Sequence, residues 1–222
     1  MLESSGMALM GLGFVLGLKH ATDADHIVAV TTMLGKERRL LRSCWIGAFW
    51  GVGHTLSLMI AGLFVVFLKT PISESTALWL ETTVAVMLVV LGGRALFQSF
   101  HKHEHVHDGS SHTHWHLDRP HTHWAHFGLR PVVVGMVHGA AGSAALTLLV
   151  LSTITSTWTA LSYILIFGVG SILGMLGISL LIAVPISWAG RRMSFAVGRI
   201  QAVAGAFSCA FGISLGLRLW LS

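Results

Sequence analysis

The chain has 222 residues, of which 54% are hydrophobic and only 10% are charged. A soluble domain usually carries about 25% charged residues, so this composition excludes an ordinary water-soluble globular protein and indicates an integral membrane protein. The net charge of +5 does not predict nucleic-acid binding, because the basic residues cluster in loops between apolar segments. The two cysteines lie in or beside apolar segments without a CxxC pattern, which favours packing residues over a disulfide framework.

Six segments are long and apolar enough to cross a bilayer, which takes about 20 helical residues. They comprise residues 6–33, 43–68, 77–98, 131–155, 158–185 and 198–221. Tryptophans lie near the ends of several segments, where interfacial aromatic residues are expected. The sequence therefore predicts an all-α, polytopic membrane protein of six transmembrane helices.

The loop charges predict the orientation in the membrane. The first, third and fifth loops hold or adjoin most of the lysines and arginines, namely Lys36, Arg38, Arg39, Arg42, Arg94, Lys102, Arg119, Arg130, Arg191, Arg192 and Arg199. Positively charged loops remain in the cytoplasm. We therefore expect a multi-pass protein of the cell membrane with both termini outside.

The chain contains a weak internal repeat. Residues 17–24 match residues 135–142 at an offset of 118, and residues 49–54 match residues 166–171 at an offset of 117. Glu81 and Gln201 head the third pair of segments at an offset of 120. A three-helix unit ends on the side opposite its start, so the second copy must be inverted, as in many secondary transporters. We expect a first repeat at 1–100, a loop at 101–128 and an inverted second repeat at 129–222.

A polar cluster interrupts the first apolar segment. His20, Asp23, Asp25 and His26 lie within seven residues at membrane depth, next to Lys19. A charged residue at the centre of a membrane helix costs roughly 2.5–3.5 kcal/mol, so such a cluster must face a protein interior or a water-filled cavity. Imidazole and carboxylate groups together are ligands for a divalent first-row metal ion. A buried polar network that only holds helices together is the structural alternative.

Helical geometry leaves the arrangement of this cluster open. At about 100° per residue, His20, Asp23 and His26 share one face of a straight helix, whereas Asp25 points away. Either Asp25 has another partner, or the helix is broken near residues 21–24 so that Asp25 joins the others. Transporter sites often use such discontinuous helices.

Two further histidines are candidate ligands. His54 follows Gly51-Val-Gly53, and His138 follows Gly135 and precedes Gly139. Glycines let membrane helices approach closely, which would bring both imidazoles toward the cluster. The predicted metal ligands are thus His20, Asp23, Asp25, His26, His54 and His138.

The segment between the repeats is rich in histidine. Ten histidines fall within residues 101–126, and such tracts are typical of metal binding. We expect a flexible cytoplasmic loop that need not form one defined site, and a cytoplasmic metallochaperone is a candidate partner.

Two motifs resemble those of the nickel/cobalt transporter family. His20-x-x-x-x-Asp25-His26 is similar to its first signature, and Gly51-Val-Gly-His54-Thr-Leu-Ser is similar to its glycine–histidine motif. The six-segment layout resembles the shorter, urease-accessory-like members, whereas the better-known uptake members have eight helices. The resemblance implies that His20, Asp25 and His26 contact the metal.

The sequence therefore predicts a transporter of a divalent transition metal ion, Ni²⁺ first and Co²⁺ second, acting in uptake. The metal is the transported substrate, and no resident cofactor and no enzymatic activity are expected. An efflux transporter is the first alternative, and a metal-dependent membrane oxidase or a metal-storage protein is less favoured. The sequence gives no oligomeric state. It contains no Walker motif for ATP binding.

Overall fold

The structure is a computed structural model that describes residues 2–35, 37, 39–68, 73–100, 123–140, 154, 156–192 and 194–221. Within these ranges the backbone forms seven α-helices and no strand. In chain order they are α1 (Leu2–His20), α2 (Ala24–Leu34), α3 (Leu40–Leu68), α4 (Glu74–Phe100), α5 (His123–Ala140), α6 (Thr157–Arg192) and α7 (Ser194–Leu221). The predicted all-α class is confirmed for this part of the chain.

Four helices are long and apolar enough to cross a membrane, namely Leu40–Phe67, Glu74–Ser99, Thr157–Trp188 and Val197–Leu221. They correspond to the predicted second, third, fifth and sixth segments. Large apolar side chains such as Phe64, Leu181 and Val203 are exposed along them. Because a surface with this much exposed apolar area suits hydrocarbon rather than water, the chain is an integral membrane protein.

The predicted first and fourth segments differ from single long helices. The first is divided into two shorter apolar helices, Gly6–His20 and Ala24–Leu34. Of the fourth, predicted at residues 131–155, the structure describes a helix only as far as Ala140, and that helix begins at His123, within the predicted histidine loop. The rest of the loop, residues 101–122, and residues 141–153 lie outside the described residues.

A tight turn breaks the first segment between α1 and α2. The amide of Thr22 donates to the Lys19 carbonyl at 2.8 Å, and the amide of Asp23 donates to the His20 carbonyl at 3.1 Å. The Thr22 hydroxyl also donates to the Lys19 carbonyl, at 2.6 Å. Asp23 is extended at φ −61° and ψ 146°, as is usual for the residue that precedes a helix. Of the two arrangements left open by the sequence, the structure therefore has the broken helix.

Four pairs of helices account for most of the packing between helices. The most extensive contacts join α4 to α7, α3 to α5, α3 to α6, and α1 to α6. Helix α3 thus lies between α5 and α6, and α6 lies between α1 and α3. Buried apolar residues such as Trp50, Leu88 and Met175 fill the interior.

Glycines set the closest approaches between these helices. A side chain at Gly17 would meet the carbonyl oxygen of Phe167, so α1 lies directly against the backbone of α6. A side chain at Gly135 would meet the carbonyl oxygen of Trp50, so α5 lies equally close to α3. Gly135 and Phe167 follow Gly17 and Trp50 by 118 and 117 residues. The two contacts therefore join equivalent positions of the sequence repeat.

A second pair of glycine contacts also joins equivalent positions of the sequence repeat. A side chain at Gly53 would meet the carbonyl oxygen of Val132, and one at Gly170 would meet that of Phe14. The offsets are again 117 for the glycines and 118 for their partners. Glycine occurs at these points because any larger residue would separate the helices.

Candidate metal centre

Five of the six predicted ligands come together where α1, α2, α3 and α5 meet, and the sixth, Asp23, lies at their edge. The last residue of α1 supplies an imidazole, the turn supplies one carboxylate, and the first turn of α2 supplies a carboxylate and an imidazole. Helices α3 and α5 add one imidazole each. The residues are, in that order, His20, Asp23, Asp25, His26, His54 and His138.

Three of the imidazoles form the first group of donors. The ring nitrogens that His20, His26 and His54 direct toward one another lie within 4.8 Å. His20 Nε2 and His54 Nε2 are 3.0 Å apart. His26 and His54 are fully buried and His20 nearly so. Three imidazoles around one point are a suitable donor set for Ni²⁺, Co²⁺ or Zn²⁺.

A carboxylate and two imidazoles form the second group. Asp25, His26 and His138 also have donor atoms within 4.8 Å of one another. Asp25 Oδ1 accepts from the ring of His26 at 3.0 Å, and Asp25 Oδ2 lies 2.9 Å from His138 Nε2. His26 therefore belongs to both groups, and its ring lies 4.5 Å from that of His20 and 4.2 Å from that of His138 between centroids.

The two aspartates occupy different positions. Asp25 bridges two buried histidines and is mostly covered, with 18% of its side chain exposed. Asp23 is 42% exposed, and its Oδ2 lies 2.9 Å from Nδ1, the outer nitrogen of His20. That bond fixes the ring so that Nε2 points toward His54, as the carboxylate partner of a metal-binding histidine commonly does. The break between α1 and α2 thus brings Asp25 inward and leaves Asp23 at the edge.

Several ring nitrogens of the centre have no hydrogen-bond partner among the described residues. They are His26 Nε2, His54 Nδ1 and His138 Nδ1, and all three are buried. Leaving a buried polar atom unpaired costs about 1–3 kcal/mol. His26 Nε2 is available to coordinate an ion, because the other nitrogen of that ring is bonded to Asp25. The unpaired Nδ1 atoms of His54 and His138 lie across each ring from the Nε2 atoms that face His20 and Asp25, so they are not assigned to the ion.

Two aromatic side chains that the sequence patterns did not single out form walls of the centre. The Trp50 ring lies 5.3 Å from the ring of His26, and the Phe167 ring lies 5.6 Å from that of His20. Both rings are buried. Each residue directly precedes a Gly-Val-Gly sequence, so the two hold equivalent positions in the sequence match. This shared position is the sequence feature that could have identified them.

Glycine packing brings His138 to the other ligands. A side chain at Gly139 would meet the carbonyl oxygen of His54, so the end of α5 lies against the backbone of α3. The rings of His54 and His138 are consequently 6.1 Å apart. Lys19 is exposed, so this residue does not place its positive charge among the buried histidines.

A buried centre of four imidazoles and a carboxylate, enclosed by apolar helices, defines an integral membrane protein with a candidate transition-metal site. The chain is 39% identical over 224 aligned residues to the urease accessory protein UreH of Bacillus sp. (strain TB-90), with 97% of each chain covered. It therefore belongs to the family of this urease accessory protein. The predicted resemblance to urease-accessory-like members of the nickel/cobalt transporter family is confirmed at that level.

More distant relatives cover less of the chain. The high-affinity nickel transport protein of Cupriavidus necator is 30% identical over 115 residues, which is 44% of this chain and 31% of that protein. Chloroplast protein FOR GROWTH AND FERTILITY 1 of Arabidopsis thaliana is 24% identical over 168 residues, or 73% of this chain and 46% of that protein. No protein-family model matches the chain, and no solved structure matches it significantly. None of the relatives' names denotes an enzyme.

Proposed function

We propose that this protein transports a divalent transition metal ion across the membrane, with Ni²⁺ as the preferred ion and Co²⁺ as the second. The observation that carries the proposal is the buried cluster of imidazoles around Asp25 at the break between α1 and α2. Relatives named for nickel transport and for a urease accessory role support the choice of metal. The ion is a substrate that passes through the centre.

The two donor groups suggest how an ion moves. His26 is common to both, so an ion held by His20, His26 and His54 can exchange its ligands one at a time for Asp25 and His138. The ion then remains coordinated throughout, which avoids exposing a bare divalent charge to the apolar interior. The carboxylate of Asp25 offsets part of that charge. We therefore propose that the two groups are successive positions on one path.

The energetics favour uptake. A divalent ion that moves inward gains roughly 4.6 kcal/mol at a potential of 100 mV, negative inside, at about 2.3 kcal/mol per charge. Uptake needs no other source of energy, whereas efflux must be coupled to another gradient. Efflux remains the alternative direction.

Equivalent contacts support an inverted arrangement of two three-helix units. The glycine contacts of α1 with α6 and of α5 with α3 exchange under the repeat offsets. Helices α4 and α7 show the same exchange. A side chain at Gly92 would meet the carbonyl oxygen of Gly205, and a side chain at Gly212 would meet that of Ala85. The two glycines, and likewise their two partners, are 120 residues apart. A pseudo-twofold axis between the units would produce this exchange, with the metal centre belonging mainly to the first unit.

Metal flux into liposomes tests the proposal. Purified protein is reconstituted with a metal-sensitive fluorophore inside, and Ni²⁺, Co²⁺ or Zn²⁺ is added outside at a set potassium diffusion potential. We expect Ni²⁺ to enter fastest and entry to accelerate as the interior becomes more negative. Flux that requires a pH gradient would favour coupled efflux. Metal binding without flux would instead indicate storage and contradict transport.

The proposed orientation makes a prediction about the histidine loop, which lies largely outside the described residues. We expect Ser110→Cys, in a background with Cys44 and Cys209 replaced by serine, to resist a membrane-impermeant thiol reagent in intact cells. The same reagent should label this cysteine after the membrane is opened. A cysteine at the exposed Ser73, between α3 and α4, is the control and should react in intact cells. If the reagent labels Ser110→Cys but not the cysteine at position 73 in intact cells, the topology is the reverse of the proposed one.

A second prediction separates the loop from the buried centre. We expect deletion of residues 101–122 to lower the total metal bound but to preserve the order in which Ni²⁺, Co²⁺ and Zn²⁺ are transported. Imidazoles that no fixed geometry constrains select poorly, since they follow the general preference for Cu²⁺ over Ni²⁺. Loop binding should weaken as the pH falls through about 6.5, where free imidazole becomes protonated. Competitive flux at equal expression measures the order, and a changed order would assign selectivity to the loop.

A further inference from the structure

A second polar cavity lies between α2, α4, α5 and α7, apart from the metal centre. Its volume is about 160 Å³, which is room for about five water molecules at roughly 30 Å³ each. The polar residues among its lining are Thr32, Arg94, Gln98, Arg130 and Gln201. Along α2, Thr32 follows His26 by six residues, or roughly 9 Å at 1.5 Å per residue. The cavity is therefore distinct from the metal ligands.

The two charged side chains that line the cavity, within the part of the chain that the structure describes, are both arginines. Arg94 and Arg130 come from different helices, and their like charges repel each other. No carboxylate is found among the described residues that line the cavity. Among the described residues, these two solvent-exposed arginines line one recess with no carboxylate beside them, which makes the recess a candidate site for an anion. Arginine is suited to this role, because its planar donors can bind two oxygens of one oxyanion.

A neutral side chain of the cavity, Gln201, can supply a further hydrogen-bond donor. Gln201 is almost fully buried, and its side-chain oxygen has no partner among the described residues. Its nitrogen makes only a long contact of 3.4 Å with the side-chain oxygen of Gln98. The two ends of an amide are interchangeable by rotation, so this side chain can turn an N–H group toward an anion. The hydroxyl of Thr32 already donates to the Val28 carbonyl and contributes no donor.

We propose that this cavity binds a phosphate-bearing anion through Arg94 and Arg130, with Gln201 as an additional donor. Arg94 lies in the last two turns of α4, and Arg130 directly precedes the predicted fourth membrane segment. Both are therefore near a membrane surface, where lipid phosphates and soluble phosphates are both within reach. The shared chemistry is a phosphoryl group held by two guanidinium groups.

Thermal unfolding of the full-length protein distinguishes the two sources. In one arm, delipidated protein in neutral detergent is titrated with inorganic phosphate at constant ionic strength. In the other arm, protein in nanodiscs of phosphatidylcholine is compared with protein in nanodiscs that also contain phosphatidylglycerol. A ligand that binds only the folded state raises Tm by an amount that increases with the ratio of ligand concentration to Kd. A rise with phosphate identifies a soluble ligand, and a rise with phosphatidylglycerol alone identifies a lipid headgroup.

Arginine variants test whether the cavity is responsible. We expect Arg94→Gln and, separately, Arg130→Gln to weaken binding about tenfold, the effect of losing one charge-assisted hydrogen bond. Arg94→Lys should recover part of the affinity because it keeps the charge but not the planar donors. Arg39→Gln removes the same charge from the exposed first loop and serves as the control. The proposal fails if neither ligand raises Tm, or if Arg39→Gln weakens binding as much as the cavity variants do.

Discussion

His26→Ala should reduce Ni²⁺ flux into liposomes to the background of protein-free vesicles. His26 is fully buried and is the one side chain common to both donor groups. Its loss would leave each group with two donors and interrupt the proposed exchange between them. Removing even an outer partner of a metal ligand typically costs 10–100-fold, so we expect a loss of more than about 100-fold here. Initial flux rates at equal amounts of reconstituted protein measure the effect.

A matched control distinguishes lost coordination from lost packing. Ser171 aligns with His54 in the sequence match at an offset of 117 residues, is fully buried and has no hydrogen-bond partner among the described residues. Ser171→Ala therefore tests truncation of a buried polar residue at an equivalent position without removing an imidazole. We expect it to retain most of the flux. Wild-type flux in His26→Ala protein would show that the ion does not pass through this centre.

Gly17→Ala should destabilise the folded protein by about 3 kcal/mol, at the upper end of the range for overpacking. The added methyl group would meet the Phe167 carbonyl oxygen, which is part of the backbone of α6 and cannot rotate aside. Helices α1 and α6 would have to separate, and His20 at the end of α1 would move with them. For a protein of this size we expect Tm to fall by about 6–12 °C.

Gly11→Ala is the control on the same helix. A side chain at Gly11 would have no atom within 4 Å, so nothing in the described structure opposes it. Alanine also favours a helix by about 1 kcal/mol over glycine in an exposed interior position. Gly11→Ala should therefore leave Tm unchanged or raise it slightly. Equal losses of Tm in the two variants would mean that α1 does not pack against α6 as described.

The sequence alone predicted an all-α membrane protein and identified candidate ligands, most of which the structure brings together in one buried cluster. Apolar segments of spanning length are visible without any tertiary information, because the bilayer requires helices of about 20 apolar residues. Placing an ionisable group inside a bilayer costs free energy, so His20 and His26 within a largely apolar segment indicated a functional site. The glycines next to His54 and His138 indicated close packing.

Tertiary structure decided how these residues are arranged. The period of a straight helix placed Asp23 on the same face as the two histidines and Asp25 elsewhere, but the turn after His20 places Asp25 inside and leaves Asp23 at the edge. Periodicity cannot reveal this break, because the turn depends on hydrogen bonds to Lys19 and His20 that compete locally with helix formation.

Contacts between distant parts of the chain were the other unpredictable element. Asp25 and His138 are 113 residues apart, and they meet because glycines let α5 approach α3. Trp50 and Phe167 were not among the predicted site residues, yet they form walls of the centre. A sequence pattern records which face of a helix is apolar or polar. Which helix covers that face, and at what distance, depends on long-range packing that a single sequence does not encode locally.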